Sequence, residues 1–168
     1  DNIPTGLNNS DWGSASSGAY AIYNNDPVND GLYGKLYNHY AVTDSRGLCP
    51  TGWHVPSNAE WTTLENHLGG SSVDGRALKS TAIQPTPGGW NPPNTGATNS
   101  FGFTAPPGGL RDYSDGDFYN MTIRGYWWSS SVLSGSDAWY RVLSYVNANS
   151  YRDLITKTYG FSVRCVRD

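Results

Sequence analysis

The chain has 168 residues and a net charge of −3, from 11 basic and 14 acidic side chains, which is the size of one domain. That balance is too weak, and of the wrong sign, for a binder of nucleic acid or of an anionic membrane surface. Charged residues are only 15%, and the mean hydropathy of −0.55 comes from Ser, Thr, Asn, Gly and Tyr, while seven Trp and twelve Tyr supply apolar area for a core.

The first segment, residues 1–30, is an Asn/Ser/Gly-rich lead-in with one alternating patch, Ala19-Tyr20-Ala21-Ile22-Tyr23. It starts at Asp1 with no initiator Met or signal peptide, as expected of an excised domain or a mature product. Residues 31–42 are rich in Tyr and apolar side chains, at a spacing that fits a strand or a helix. A helix start follows. Ser57 and Glu60 form a Ser-x-x-Glu capping box, with Val55 and Trp61 near the positions of a hydrophobic staple. Trp61, Leu64 and Leu68 repeat at helical spacing until Gly69-Gly70 stops the helix. A second, shorter helix is predicted over 73–81, with Ser72 as cap and Ala77 and Leu78 turned inward.

Residues 84–125 read as one long irregular loop, because Pro and Gly recur too often for a long element. Within it Phe101-Gly102-Phe103 reads as a short strand and Asp115-Gly116 as a hairpin turn. Strand-like runs then occupy 126–130, 138–146, 151–156 and 159–166. In the last, Phe161, Val163 and Cys165 alternate onto one face. Helices grouped before strands predict an α+β class: two helices plus an antiparallel sheet, in a single domain over 1–168. The N-terminal and C-terminal strands are expected to pair. Trp53, Trp61, Trp127, Trp128 and Trp139 fall in regular patterns and are expected in the core.

Two cysteines, Cys49 and Cys165, are too few for a four-cysteine zinc site. Few Lys and Glu, many Ser, Thr, Asn and Tyr, and a single Met look extracellular, so a disulfide is expected. The alternative is two unrelated buried thiols. A bond would close most of the chain into one loop and add at most about 4–5 kcal/mol.

Three groups are candidates for ligand chemistry. Trp90 lies among Gly and Pro beside Asn91 and Asn94, where a loop-borne ring can stack on a sugar or an apolar group; packing under the loop is the alternative. Asp112, Asp115 and Asp117 form an acidic run with Tyr113 inside it and Asn120 beyond it. Carboxylates and an amide oxygen around a Gly turn suit calcium, and a solvated Asp-Gly hairpin is the other reading. The tip Asn147-Ala148-Asn149-Ser150, followed by Tyr151, Arg152 and Asp153, suits polar recognition through Asn147, Asn149, Tyr151, Arg152 and Asp153, with a plain hairpin as the other reading. His39, His54 and His67 are scattered, and no nucleophile, zinc-protease or phosphate-loop motif is present.

The run Cys49-Pro50-Thr51-Gly52-Trp53-His54-Val55-Pro56-Ser57-Asn58-Ala59-Glu60-Trp61 resembles the signature of the Fibrobacter succinogenes major paralogous domain family. Gly108-Gly109-Leu110-Arg111, Gly125-Tyr126-Trp127-Trp128-Ser129-Ser130, Ala138-Trp139-Tyr140-Arg141 and residues 159–166 agree in the same order, covering 32–168. The resemblance implies a C-type lectin-like fold, related to that of the formylglycine-generating enzymes, on a secreted or surface protein. The calcium–sugar motifs of the lectins are not intact, since Gln84-Pro85 is followed by Thr86 and Trp90-Asn91 by Pro92. Cys49 and Cys165 stand in framework motifs, not in the reactive pair of the oxidase-like branch. The expected function is therefore a non-enzymatic, extracellular ligand-binding module of a bacterial surface protein or adhesin. It would be one domain of a larger chain, binding a surface glycan or peptide, with calcium as a candidate cofactor. The alternative is a ligand-free spacer domain.

Overall fold

The structure, a computed structural model, describes residues 3–168. Its elements in chain order are α1 (Asn9–Gly13), β1 (Tyr20–Ile22), α2 (Val28–Tyr33), β2 (Lys35–Tyr37), α3 (His39–Val42), β3 (Trp53–His54), α4 (Asn58–His67), α5 (Asp74–Leu78), β4 (Gly108–Arg111), β5 (Phe118–Met121), β6 (Arg124–Val132), β7 (Asp137–Ser144), β8 (Ser150–Thr156) and β9 (Val166–Arg167). The class is α+β. A five-stranded sheet, ordered β5-β4-β6-β7-β8, is antiparallel except between β4 and β6, and two short ribbons pair β1 with β2 and β3 with β9.

α4 starts where its capping box predicts: Glu60 N donates to Ser57 Oγ, and Ser57 N donates to Glu60 Oε2. Trp61 is buried against the sheet, but Val55 enters a different core cluster, so the two do not staple. α5 is shorter than predicted. Ser72 does not cap it, and the Asp74 carboxylate is turned to Ser150 instead. Residues 31–42 are neither one strand nor one helix. Gly34, at φ +76, ends α2, and Asn38 opens α3 by accepting from Ala41 N.

Two predicted strands do not form. Over 101–103 the Asn99 side chain captures the Thr104 amide at 2.7 Å, and Gly102 sits at φ +69, which makes a turn. Residues 159–166 give a strand only at Val166–Arg167. Phe161 exchanges backbone hydrogen bonds with Tyr37, Gly160 exchanges them with Arg111, and Ser162 bonds Tyr126 and Trp128. Each residue thus pairs with a different element. Phe161 is nonetheless fully buried, its ring 4.5 Å from that of Trp128 and 4.9 Å from that of Tyr126. Trp53 also departs from expectation. On the two-residue ribbon β3 it points outward and is 46% exposed.

The lead-in is part of the core. Trp12 is fully buried, and Arg111 lies between the Trp12 and Phe118 rings at 4.5 and 4.9 Å. Arg111 also donates to Leu7 O and Gly116 O, tying the lead-in to the β4–β5 loop. A Cβ on Gly160 would sit 2.8 Å from the Trp12 ring, so only glycine lets the strip pass beneath it.

Cys49 and Cys165 are bonded, 116 residues apart, beside the β3–β9 ribbon that joins early and late segments. We expect reduction, or the double replacement C49S/C165S, to lower stability by up to about 4–5 kcal/mol in denaturant titration. An unchanged unfolding midpoint would show that the bond constrains nothing the rest of the fold does not.

His39 is fully buried, edge-on to Trp128 at 5.0 Å, with Nε2 2.9 Å from Ser129 O. The carbonyl requires Nε2–H, and Nδ1 has no partner, which describes a neutral imidazole. Burial holds its pKa down at about 4, against an ordinary 6.5. Below pH 6.5 the unfolded chain takes a proton that the folded chain refuses until about pH 4. Stability should therefore fall as pH drops from 6.5 to 4, by on the order of 3 kcal/mol in total, and change no further on this account below pH 4. H39Q should flatten that part of the profile, and the same slope in the variant would assign the loss to other groups.

Candidate functional site

The predicted loop and the predicted tip meet at one buried cation. Lys79 is fully buried just after α5. Its Nζ donates to Thr95 O in the loop at 2.9 Å, Ser144 O at the end of β7 at 3.1 Å, and Asn147 O in the tip at 2.7 Å. All three ammonium protons are used. Burial pushes the group down to about 8, so it remains charged at neutral pH. Thr95 N donates to Tyr145 O, and Asn91 N to Thr122 O, closing the same seam.

The tip is pinned from α5 as well. Asp74, also fully buried, accepts from Ser150 N at 2.8 Å and from Ser150 Oγ at 2.6 Å, and Arg76 N donates to Ala148 O. A Cβ on Gly75 would lie 2.8 Å from Asn149 O, so glycine permits the close approach.

Beside the tip, between α4 and the start of β8, lies a polar cleft of about 390 Å³. Tyr151 and Arg152 form one wall, Thr62 and Asn66 the other, and Ser71 closes the end. Glu65 is at the floor, buried and paired with Arg141, which also donates to Asn58 Oδ1. The Arg152 guanidinium is exposed and lies over the Trp139 ring at 4.8 Å. A guanidinium held on a ring keeps its in-plane donors open to a ligand. Asn147 Nδ2 donates to Tyr151 OH at 3.3 Å, fixing the rim.

The other predicted residues are elsewhere. Trp90 is fully buried, and its Nε1 donates to Ala105 O at 3.1 Å, so the expectation of a ligand-stacking ring on the loop is corrected: the ring packs beneath the loop, near Lys79. Asn91 is half-buried on the seam. Asn149 meets α5 with its backbone, and Asp153 accepts from Leu154 N further along β8. The acidic run forms the β4–β5 hairpin loop. Asp112 accepts from Ser114 N and Oγ; Asp115 accepts from Asp117 N and from Tyr119 OH. The Asp115 carboxylate raises Tyr119 to about 12. Asn120 turns away to donate to Tyr126 OH. Among the described residues no three His, Cys, Asp or Glu side chains are grouped to hold a metal ion. Tyr113 stands outside the cleft, its ring 5.1 Å from Tyr159.

Among the described residues, the one His–carboxylate cluster is also outside the cleft. His54 bonds Asp168 through Nδ1 at 2.6 Å and Glu60 through Nε2 at 2.8 Å, and these two carboxylates raise its pKa. Both ring nitrogens are engaged, so the group acts as an imidazolium bridge.

Sequence reasoning finds Tyr151 and Arg152 but misses Lys79, Glu65, Arg141 and the part played by Trp139. A lone Lys after Ala77-Leu78 carries no signal of burial, since its acceptors are backbone carbonyls far along the chain. K79M should strand three carbonyls and lower stability by about 3 kcal/mol or more. Amide exchange should accelerate at Thr95 and along the tip. A variant as stable and as protected as the parent would remove Lys79 from the seam.

Against curated proteins and against solved structures the chain has no match. The model of the Fibrobacter succinogenes major domain matches residues 3–167, taking in the lead-in as well as the motifs from residue 32 onward, and the chain belongs to that family.

Proposed function

We propose that this domain is a non-enzymatic ligand-binding module of a bacterial surface protein, of adhesin type, that takes a hydroxylated ligand, a glycan, in the Arg152 cleft. The observation that carries this reading is the Arg152–Trp139 stack at the mouth of a cleft rimmed by Thr62, Asn66 and Ser71. Open guanidinium donors beside hydroxyl and amide groups match a polyol, above all one bearing a carboxylate. The disulfide suits an oxidising, extracellular location. We read the architecture as C-type lectin-like, because early and late segments are joined by the β3–β9 ribbon and a long irregular stretch precedes the main sheet. The Asp112 and Asp115 carboxylates accept bonds from Ser114, Asp117 N and Tyr119 within the acidic loop, and this reading places no calcium there.

A second reading, a spacer with no ligand, is favoured by the burial of Trp90 and by the loop being sewn flat along the Lys79 seam. A glycan array followed by calorimetry separates the two. Binding by the parent, weakened about tenfold or more in R152A at unchanged melting temperature, supports the cleft. A parent that binds no glycan on the array supports the spacer. Binding that R152A leaves intact moves the site away from this cleft.

A further inference from the structure

Arg164 stands between two further clefts that lie apart from Arg152. On one side α4, Phe103 and Val166 enclose an apolar pocket of about 270 Å³, with Trp61 and Leu64 inside it. On the other side a more polar groove of about 410 Å³ runs past Ser162, Thr104 and the α2–β2 turn. The guanidinium lies 4.5 Å over the Phe103 ring and is fixed there by one bond, Nη2 to Phe103 O at 2.6 Å. It is exposed, and among the described residues it has no carboxylate partner. The carboxylates lining these clefts are already engaged: Glu60 holds His54 and Ser57, and Asp30 holds Lys35. An oriented guanidinium without a carboxylate partner thus borders an apolar pocket with room for a whole apolar side chain.

We propose that this is an anchoring site for the C-terminal apolar residue of a peptide. The side chain fills the pocket, the α-carboxylate takes the free edge of the Arg164 fork, and the preceding backbone amides run into the polar groove. Charge complementarity chooses the occupant. Arg164 lines the pocket itself, so the carboxylate must sit on the residue whose side chain enters, or directly beside it. A guanidinium offers a carboxylate two parallel donors, a match that a neutral amide lacks. The groove's polar lining distinguishes a peptide from a fatty acid, whose tail has no use for it.

The test is calorimetric titration of the parent protein with N-acetyl-Gly-Gly-Leu as the free acid, as its C-terminal amide, and with octanoate. The free acid should bind about tenfold or more tightly than the amide. R164Q should remove that preference, while R152A should leave it unchanged. Equal binding of acid and amide overturns the proposal, as does octanoate matching the peptide acid, or no binding of the acid at all. The acid–amide comparison uses the unmodified protein, so it stands even if R164Q is poorly folded. A peptide with Glu following Leu, amidated at its end, separates a side-chain carboxylate from the terminal one, and tighter binding of that peptide overturns the assignment to the α-carboxylate.

Discussion

Three residues, Gly160, Phe161 and Ser162, hold the domain together. Their backbone bonds reach β4, β2 and β6 in turn, so one extended strip stitches the β1–β2 ribbon to both parts of the main sheet. Phe161 puts its ring where Tyr126, Trp128, Tyr140 and Tyr159 converge, all within 5.6 Å between ring centres. Gly160 lets Trp12 of the lead-in cross the strip. Three residues after Ser162, Cys165 is bonded back to Cys49. The clefts beside Arg164 and Arg152 follow from this strip, because its continuation carries Arg164 and its partner β6 carries β7 and, through it, β8.

The strip also explains which parts of the fold are legible in the sequence. A capping box is a local device, and Ser57 and Glu60 behave as their spacing predicts. The β6–β7–β8 meander is legible because its segments are runs rich in aromatic and β-branched side chains separated by turn residues. Residues 159–166 alternate, but alternation reports burial and not partnership. A chain that changes partner at each residue keeps the apolar pattern of a strand without becoming one. The same limit governs residues 101–103, where the deciding bond comes from the Asn99 side chain.

For the candidate site the division is similar. Arg152 and Tyr151 were legible as polar residues near a strand start. The cleft they border was not, since its opposite wall is α4 and its floor is the buried Glu65–Arg141 pair. Trp90 illustrates the reverse error. Gly and Pro around an aromatic mark irregular backbone, but they do not say which side of the loop the ring takes. Here the Ala105 carbonyl and the core beneath decide it.

The Lys79 clamp has a consequence for how such a domain can diversify. Its three acceptors are main-chain carbonyls of Thr95, Ser144 and Asn147, which every amino acid supplies alike. The half-buried side chains at Thr95 and Asn147 can therefore change without removing an acceptor from the clamp. A loop held by side-chain contacts would have to conserve those contacts while it explored new surfaces. Here the side chains that must be kept are buried ones, Trp90 under the loop and Asp74 under the tip, so the same scaffold can present unrelated outward surfaces at a fixed position on the sheet.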